Sequence, residues 1–286
     1  MSATADEPLP HPLTGERFVS PVPPGTGWPG DGAGPDTPVA RTPAAVRRVA
    51  AAAQRAGDLA ALDAASTVCR ACPRLVAWRE EVAVTKRASY AQEPYWGRPA
   101  SGMGPVDARV VVVGLAPAAQ GGNRTGRIFT GDRSADWLHA SMHRVGLARR
   151  STSVHAGDGQ ELLGARMTMG VRCAPPANKP TPAERDTCAP WIAAEMRLLT
   201  SVRAVVALGA FGWGVALRTL ADLGHDVPRP RPRFGHGAEV VLAAPAGSGR
   251  SDVTLLGCFH PSQQNTFTGR LTEPMLDAVL TRAASL

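Results

Sequence analysis

Hydrophobic positions fall into two kinds of pattern along this chain. Arg109-Val-Val-Val-Val113 is a continuous apolar run, as expected of a strand buried on both faces of a parallel sheet. Arg166 to Val171, Ala204 to Leu208, Val240 to Ala243 and Val253 to Leu256 read as further strands. Between them the spacing turns helical. An alanine-rich stripe runs from Val46 to Asp63, and a short helix is expected from Pro73 to Val84. Another is capped by Ser134 and runs to about Val145. Thr181-Pro-Ala-Glu184 has the form of a capping box, opening a helix to about Leu199. Phe211 to Leu223 and Thr272 to Ala283 complete the set. Strands alternating with helices predict an α/β domain, a doubly wound, mostly parallel sheet flanked by helices. Sites in such domains lie in loops at the carboxyl ends of the strands.

The first 45 residues break the pattern. They contain 10 prolines and 6 glycines with no sustained period, and a disordered Pro/Gly-rich tail (1–45) is expected ahead of a single domain (46–286), folded structure beginning near Pro43–Ala45. The acids Asp6, Glu7, Glu16, Asp31 and Asp36 outweigh Arg17 and Arg41 there. The whole chain is nonetheless +7, so its body is strongly basic and suited to a polyanion. The longest uncharged apolar stretch, Ala204–Leu217, is 14 residues, short of the roughly 20 a membrane span needs. With no secretory signal visible and an odd number of cysteines, five, a cytoplasmic protein without a disulfide framework is expected.

Four of those cysteines form two pairs, Cys69-x2-Cys72 and Cys173-x14-Cys188. A C-x2-C turn points two thiolates at one centre, and two more from a distant segment complete four-coordination. Unligated packing, zinc and an iron–sulfur cluster all remain open on spacing alone. Cys258, between a strand and His260, reads as packing.

Two loops are long and specific. One runs Gly114-Leu-Ala-Pro-Ala-Ala-Gln-Gly-Gly-Asn-Arg-Thr-Gly-Arg-Ile-Phe-Thr-Gly-Asp-Arg-Ser134, the other His260-Pro-Ser-Gln-Gln-Asn-Thr-Phe-Thr-Gly-Arg-Leu-Thr272. With the four cysteines, they resemble the uracil-DNA glycosylase superfamily, and within it family 5, the iron–sulfur type B enzymes. The resemblance spans about Cys69 to Leu280. It implies a [4Fe-4S] cluster of structural role on Cys69, Cys72, Cys173 and Cys188, and no nucleotide cofactor. It also implies a monofunctional hydrolase, acting as a monomer on damaged duplex DNA associated with the nucleoid and removing uracil, hypoxanthine and damaged cytosines.

The site roles follow by the same resemblance. Gly114 and Ala116 line the base, Phe129 stacks on it, and Asn178 reads the pyrimidine edge. His260 donates to the base carbonyl as negative charge gathers on the leaving group. Ala116 stands where many relatives carry Asp or Asn, which leaves Asp132 to position water; a plain turn or cap residue is the other reading of Asp132. Arg124, Ser262, Gln263, Asn265 and Arg270 are the expected DNA contacts, with Gln263 to Phe267 supporting extrusion of the nucleotide. Neither loop contains lysine, which argues against Schiff-base lyase chemistry. Two rivals carry weight: a non-catalytic iron–sulfur DNA-binding regulator, and a nucleotide-binding enzyme, the latter weakened because the loop lacks the G-x-G-x-x-G and Walker patterns.

Overall fold

The computed structural model describes residues 7–286. Its centre is a five-stranded sheet in the order β4-β3-β5-β7-β6. Here β3 is Val110–Gly114, β4 Ala165–Met169, β5 Ala204–Leu208, β6 Glu239–Leu242 and β7 Val253–Cys258. The first four in spatial order run parallel, and β6 closes one edge antiparallel to β7. The four valines of β3 explain why it is central: Val110 and Val112 enter one core, Val111 and Val113 the other, and all are buried. Helices α5 (Arg133–Arg144) and α9 (Glu273–Ala284) cover the first face through Leu138, Met142, Leu276 and Leu280. Helices α6 (Pro182–Leu198) and α7 (Gly209–Asp222) cover the second through Ile192, Met196, Trp213 and Leu217. This is the expected doubly wound α/β domain. No helix among the described residues is long and apolar enough to cross a membrane.

The expected tail is where sequence and structure part company. Residues 1–6 lie outside the described residues, but from Glu7 onward the segment is packed. It forms a two-strand ribbon, β1 (Leu9–Pro10) with β2 (Arg17–Phe18), and then runs along the body. Phe18, Val22 and Trp28 are buried with Trp96 and Ala156. Polar bonds fix it further: Ser20 Oγ accepts the Tyr95 N–H at 2.8 Å, and Asp31 takes a buried ion pair from Arg98 at 2.7 Å. Prolines hide this order from a periodicity search, because the segment is held by scattered anchors and not by a repeating face.

Two boundaries also differ. The stripe from Val46 to Asp63 is two helices, α1 (Pro43–Ala56) and α2 (Leu59–Thr67). Gly57, at φ +69°, ends the first, and the Asp58 carboxylate caps the second through the Ala61 N–H. Helix α5 is capped by Asp132, not Ser134, the carboxylate accepting the Ala135 N–H at 3.0 Å. The Thr181 capping box is present as expected. Helix α3 (Pro73–Thr85) follows Cys72 directly, and the single-turn α4 (Gly122–Thr125) lies in the loop after β3.

A buried ion network ties α2, β4 and α6 together. Glu195, fully buried, accepts from Arg172 and Thr168 at 2.6 Å each and from Arg166, which also pairs with Asp63 at 2.7 Å. Burial alone would raise the Glu195 carboxyl, but Arg166 and Arg172 outweigh it and hold it below its ordinary value.

Candidate active site

The parallel strands deliver every candidate loop to one end of the sheet. The loop after β3 is bonded to the loop after β4, Gly170 N–H to Gly114 C=O and Val171 N–H to Leu115 C=O, both at 3.0 Å. The same β4 loop goes on to Cys173 and Asn178. His260 follows β7, and its Cβ faces Gly209 at the end of β5, where an added Cβ would lie 3.7 Å away.

Phe129 is held in place rather than merely packed. Its backbone takes φ +46°, a conformation that is rare outside glycine, asparagine and aspartate. Its carbonyl lies 3.0 Å from His139 Nε2, whose Nδ1 in turn meets the Gln160 amide at 3.1 Å. Burial pushes His139 down to about 4, so its ring is neutral, donating from Nε2 and accepting at Nδ1. The phenyl ring lies against Gly114 so closely that a Cβ there would stand 2.5 Å from Cζ. No sequence signal pointed to His139 or Gln160.

Asp132 is the cap of α5, and its carboxylate stands between two parts of the loop. One carboxylate oxygen caps α5; the other lies over Gly121, where a Cβ would overlap it. Burial raises its pKa against the pull of the Ala135 and Ser134 N–H groups. Outside it lies a pocket of about 490 Å³ shared with Tyr90, Glu93, Arg133, Pro12 and Leu13. The amino-terminal segment therefore lines the same hollow as the candidate catalytic carboxylate.

His260 is driven down to about 4 by burial, so it is neutral at pH 7. Its Nδ1 is buried without a partner, an unsatisfied atom of the kind that a bound group completes. The loop around it is self-supporting: Asn265 donates to the His260 carbonyl at 2.8 Å, and Ser262 caps the short helix α8 (Gln263–Phe267). Gln263 and Arg270 are exposed, with Arg270 stacked 4.6 Å over Phe259. Phe267 is 66% exposed and carries the Arg133 guanidinium 4.4 Å over its ring, which links the two motif loops.

One expected DNA contact is placed otherwise. Arg124 is buried and engages Glu93 at 2.6 Å and the Gln120 and Gly131 carbonyls, stacking on Tyr90. It is a brace inside the loop, not an outward phosphate contact. Asn178 is exposed in a left-handed conformation, φ +55°, and its side chain makes no hydrogen bond among the described residues.

Cys69, Cys72, Cys173 and Cys188 line one cavity, with Leu75, Val171, Arg79, Arg172 and Trp191 around them. Ala116 packs against the same group. Arg79 Nη1 donates to Cys173 Sγ at 3.0 Å and the Arg172 N–H to Cys188 Sγ at 3.4 Å. Burial and the neighbouring thiols push Cys72 up to about 12 and Cys188 up as well. Cys258 stands apart, buried in the core as expected.

The family model of the uracil DNA glycosylase superfamily matches residues 101–284. The chain is 56% identical to a Type-5 uracil-DNA glycosylase of Mycobacterium tuberculosis over 277 residues, 96% of this chain and 98% of the relative. The chain belongs to the uracil-DNA glycosylase superfamily. Its type-5 relatives include those of Thermus thermophilus, 48% identical over 77% of this chain and 94% of the relative, and Pyrobaculum aerophilum, 44% identical over 76% and 88%. Membership makes this chain an enzyme of the DNA glycosylase class, and the nucleotide-binding rival falls away.

Proposed function

We propose that this uracil-DNA glycosylase superfamily member hydrolyses the N-glycosidic bond of uracil in duplex DNA. Hypoxanthine and damaged cytosines are further substrates, and the product is an abasic site. The observation that carries the reading is His260: a buried neutral imidazole with an unsatisfied nitrogen, at the sheet end where Phe129 and Asp132 also stand. The nucleotide leaves the stack at a cost of a few kcal/mol and its base slides over Phe129. Departure leaves negative charge on the base and oxocarbenium character on the sugar. A neutral imidazole N–H aimed at the base carbonyl meets that charge without adding a proton, and one such donor is worth about 2.7–4 kcal/mol. Asp132 holds the attacking water with the carboxylate oxygen that does not cap α5. Asn178 reads the base edge, and Ser262, Gln263 and Arg270 face the flanking phosphates.

The four cysteines fit a [4Fe-4S] cluster. Cys69, Cys72, Cys173 and Cys188, which line one cavity, would hold it. Arg79 Nε, Arg172 Nε and Trp191 Nε1, all on the cavity wall, are buried without partners and suit a sulfide-rich anion. A cluster held there would brace the fold, tying α3 and α6 to the loop that carries Asn178.

The test is alkali-dependent strand cleavage on labelled duplexes with U·G, U·A, hypoxanthine·T or no lesion, without added divalent metal. Cleavage at uracil and hypoxanthine is expected, reduced about 10²–10³-fold by His260→Ala and strongly by Asp132→Ala. Iron and sulfide analysis of the same protein checks the cofactor. A preparation that contains its cluster and binds DNA yet cleaves no lesion would point instead to the regulator.

A further inference from the structure

Residues 228–233 read Pro-Arg-Pro-Arg-Pro-Arg, and Arg229, Arg231 and Arg233 are all exposed. Among the described residues none of the three forms an ion pair or a side-chain hydrogen bond, whereas most arginines near the site loops are engaged. Arg124 holds Glu93, Arg127 holds Asp158 and Arg98 holds Asp31. Three unpaired guanidiniums at alternate positions of one short segment repel each other, so the arrangement suits an anion from outside.

The segment is also rigid and well placed. Proline fixes φ at every second residue, so little backbone freedom is lost on binding. Trp213 Nε1 of α7 donates to the Pro232 carbonyl at 2.9 Å, and the Phe234 ring packs 6.1 Å from Trp213 and 6.2 Å from Phe259. His236 Nδ1 accepts the Phe259 N–H at 3.2 Å. Phe259 immediately precedes His260 and carries Arg270 on its ring. The arginine run is thus bolted to the base of the catalytic loop. Beyond it, Arg231 lines the α6–α7 groove with Arg185, Arg218 and Asp222, and Asp186 pairs with both Arg185 and Arg218.

We infer that the Pro-Arg segment is a second DNA-backbone contact, gripping phosphates on one side of the lesion beyond the reach of the His260 loop. It rests on the reading of DNA as substrate. In an extended chain the three arginines span at most about 14 Å, a length of duplex that carries several phosphates. Such contacts add affinity and salt dependence, not base choice.

The experiment compares the full chain with Arg229→Gln/Arg231→Gln/Arg233→Gln. A charge-matched control carries Arg47→Gln/Arg48→Gln/Arg55→Gln on the exposed face of α1, which packs against α2 and α6. Binding to a uracil-containing duplex is measured by fluorescence anisotropy across a salt series, so it is read whether or not the base is removed. Losing three contacts should lower the slope of log K against log salt by about 2–3 and weaken binding about tenfold at low salt. The single-turnover excision rate at saturating DNA should stay unchanged. Shortening the duplex on one side of uracil should abolish the difference between variant and wild type, while shortening the other side leaves it. An unchanged slope, an equal effect in the α1 control, or a difference that survives both truncations overturns the inference. Wild-type protein that binds with the expected slope but excises nothing overturns the glycosylase reading instead.

Discussion

Replacing Gly114 by alanine would set a methyl group 2.5 Å from Cζ of Phe129, where ordinary contacts begin near 3.4 Å. The ring must retreat by about 1 Å to relieve the overlap. It has little room: Phe129 is 5% exposed, sits within the main core and has its carbonyl tied to His139. Overpacking of this kind costs about 1–3 kcal/mol of stability. In an active site, a displacement of about 1 Å costs on the order of 100-fold in rate. Single-turnover excision of uracil from a labelled U·G duplex, followed by alkali quench, should therefore slow about 100-fold in Gly114→Ala. Phe129→Leu should also be slow, through lost stacking. Adding Gly114→Ala to Phe129→Leu should cost little more, because the clashing ring is gone. Wild-type rates in Gly114→Ala, or strictly additive effects in the double variant, would refute the assignment of Phe129 as the stacking face pressed on Gly114.

Trp28→Ala removes the centre of the aromatic group that seats the amino-terminal segment and should cost about 3–5 kcal/mol. Urea unfolding gives the loss, and limited proteolysis should cut within residues 8–40; resistance equal to wild type would show that the segment is held elsewhere. Acid should destabilise the fold. His155, held down to about 3 by burial and by neighbouring His11, and His139, at about 4, are below their ordinary 6.5 in the folded state. The unfolded chain therefore takes up protons first, so stability present above pH 6.5 is lost as pH falls toward 4. Urea midpoints across that range should fall less steeply in His155→Gln, and parallel slopes would exclude His155 from the effect.

Much of the architecture was legible because it is written in local patterns. The valines of β3 can be satisfied only between two layers, and Thr181 to Glu184 closes a capping box through residues three apart. The two site loops were legible through their resemblance. What could not be read depends on partners distant in sequence. Arg124 suits a phosphate and a buried Glu93 equally well, and only the fold decides between them. His139 belongs to no motif, yet supports the strained Phe129 carbonyl. Phe18, Val22 and Trp28 follow no period, so their shared burial was invisible amid the prolines.

The seat for Trp28 has a bearing on how the chain matures. Its walls come from Trp96, Gly126 and His155. During synthesis, the last of them leaves the ribosome roughly 6–25 s after Trp28, at about 5–20 residues per second. The stretch around Trp28 must therefore wait for its socket to be made. A composition rich in proline and glycine, poor in self-association, suits it to that delay, and a stretch made before its socket is docked only after it.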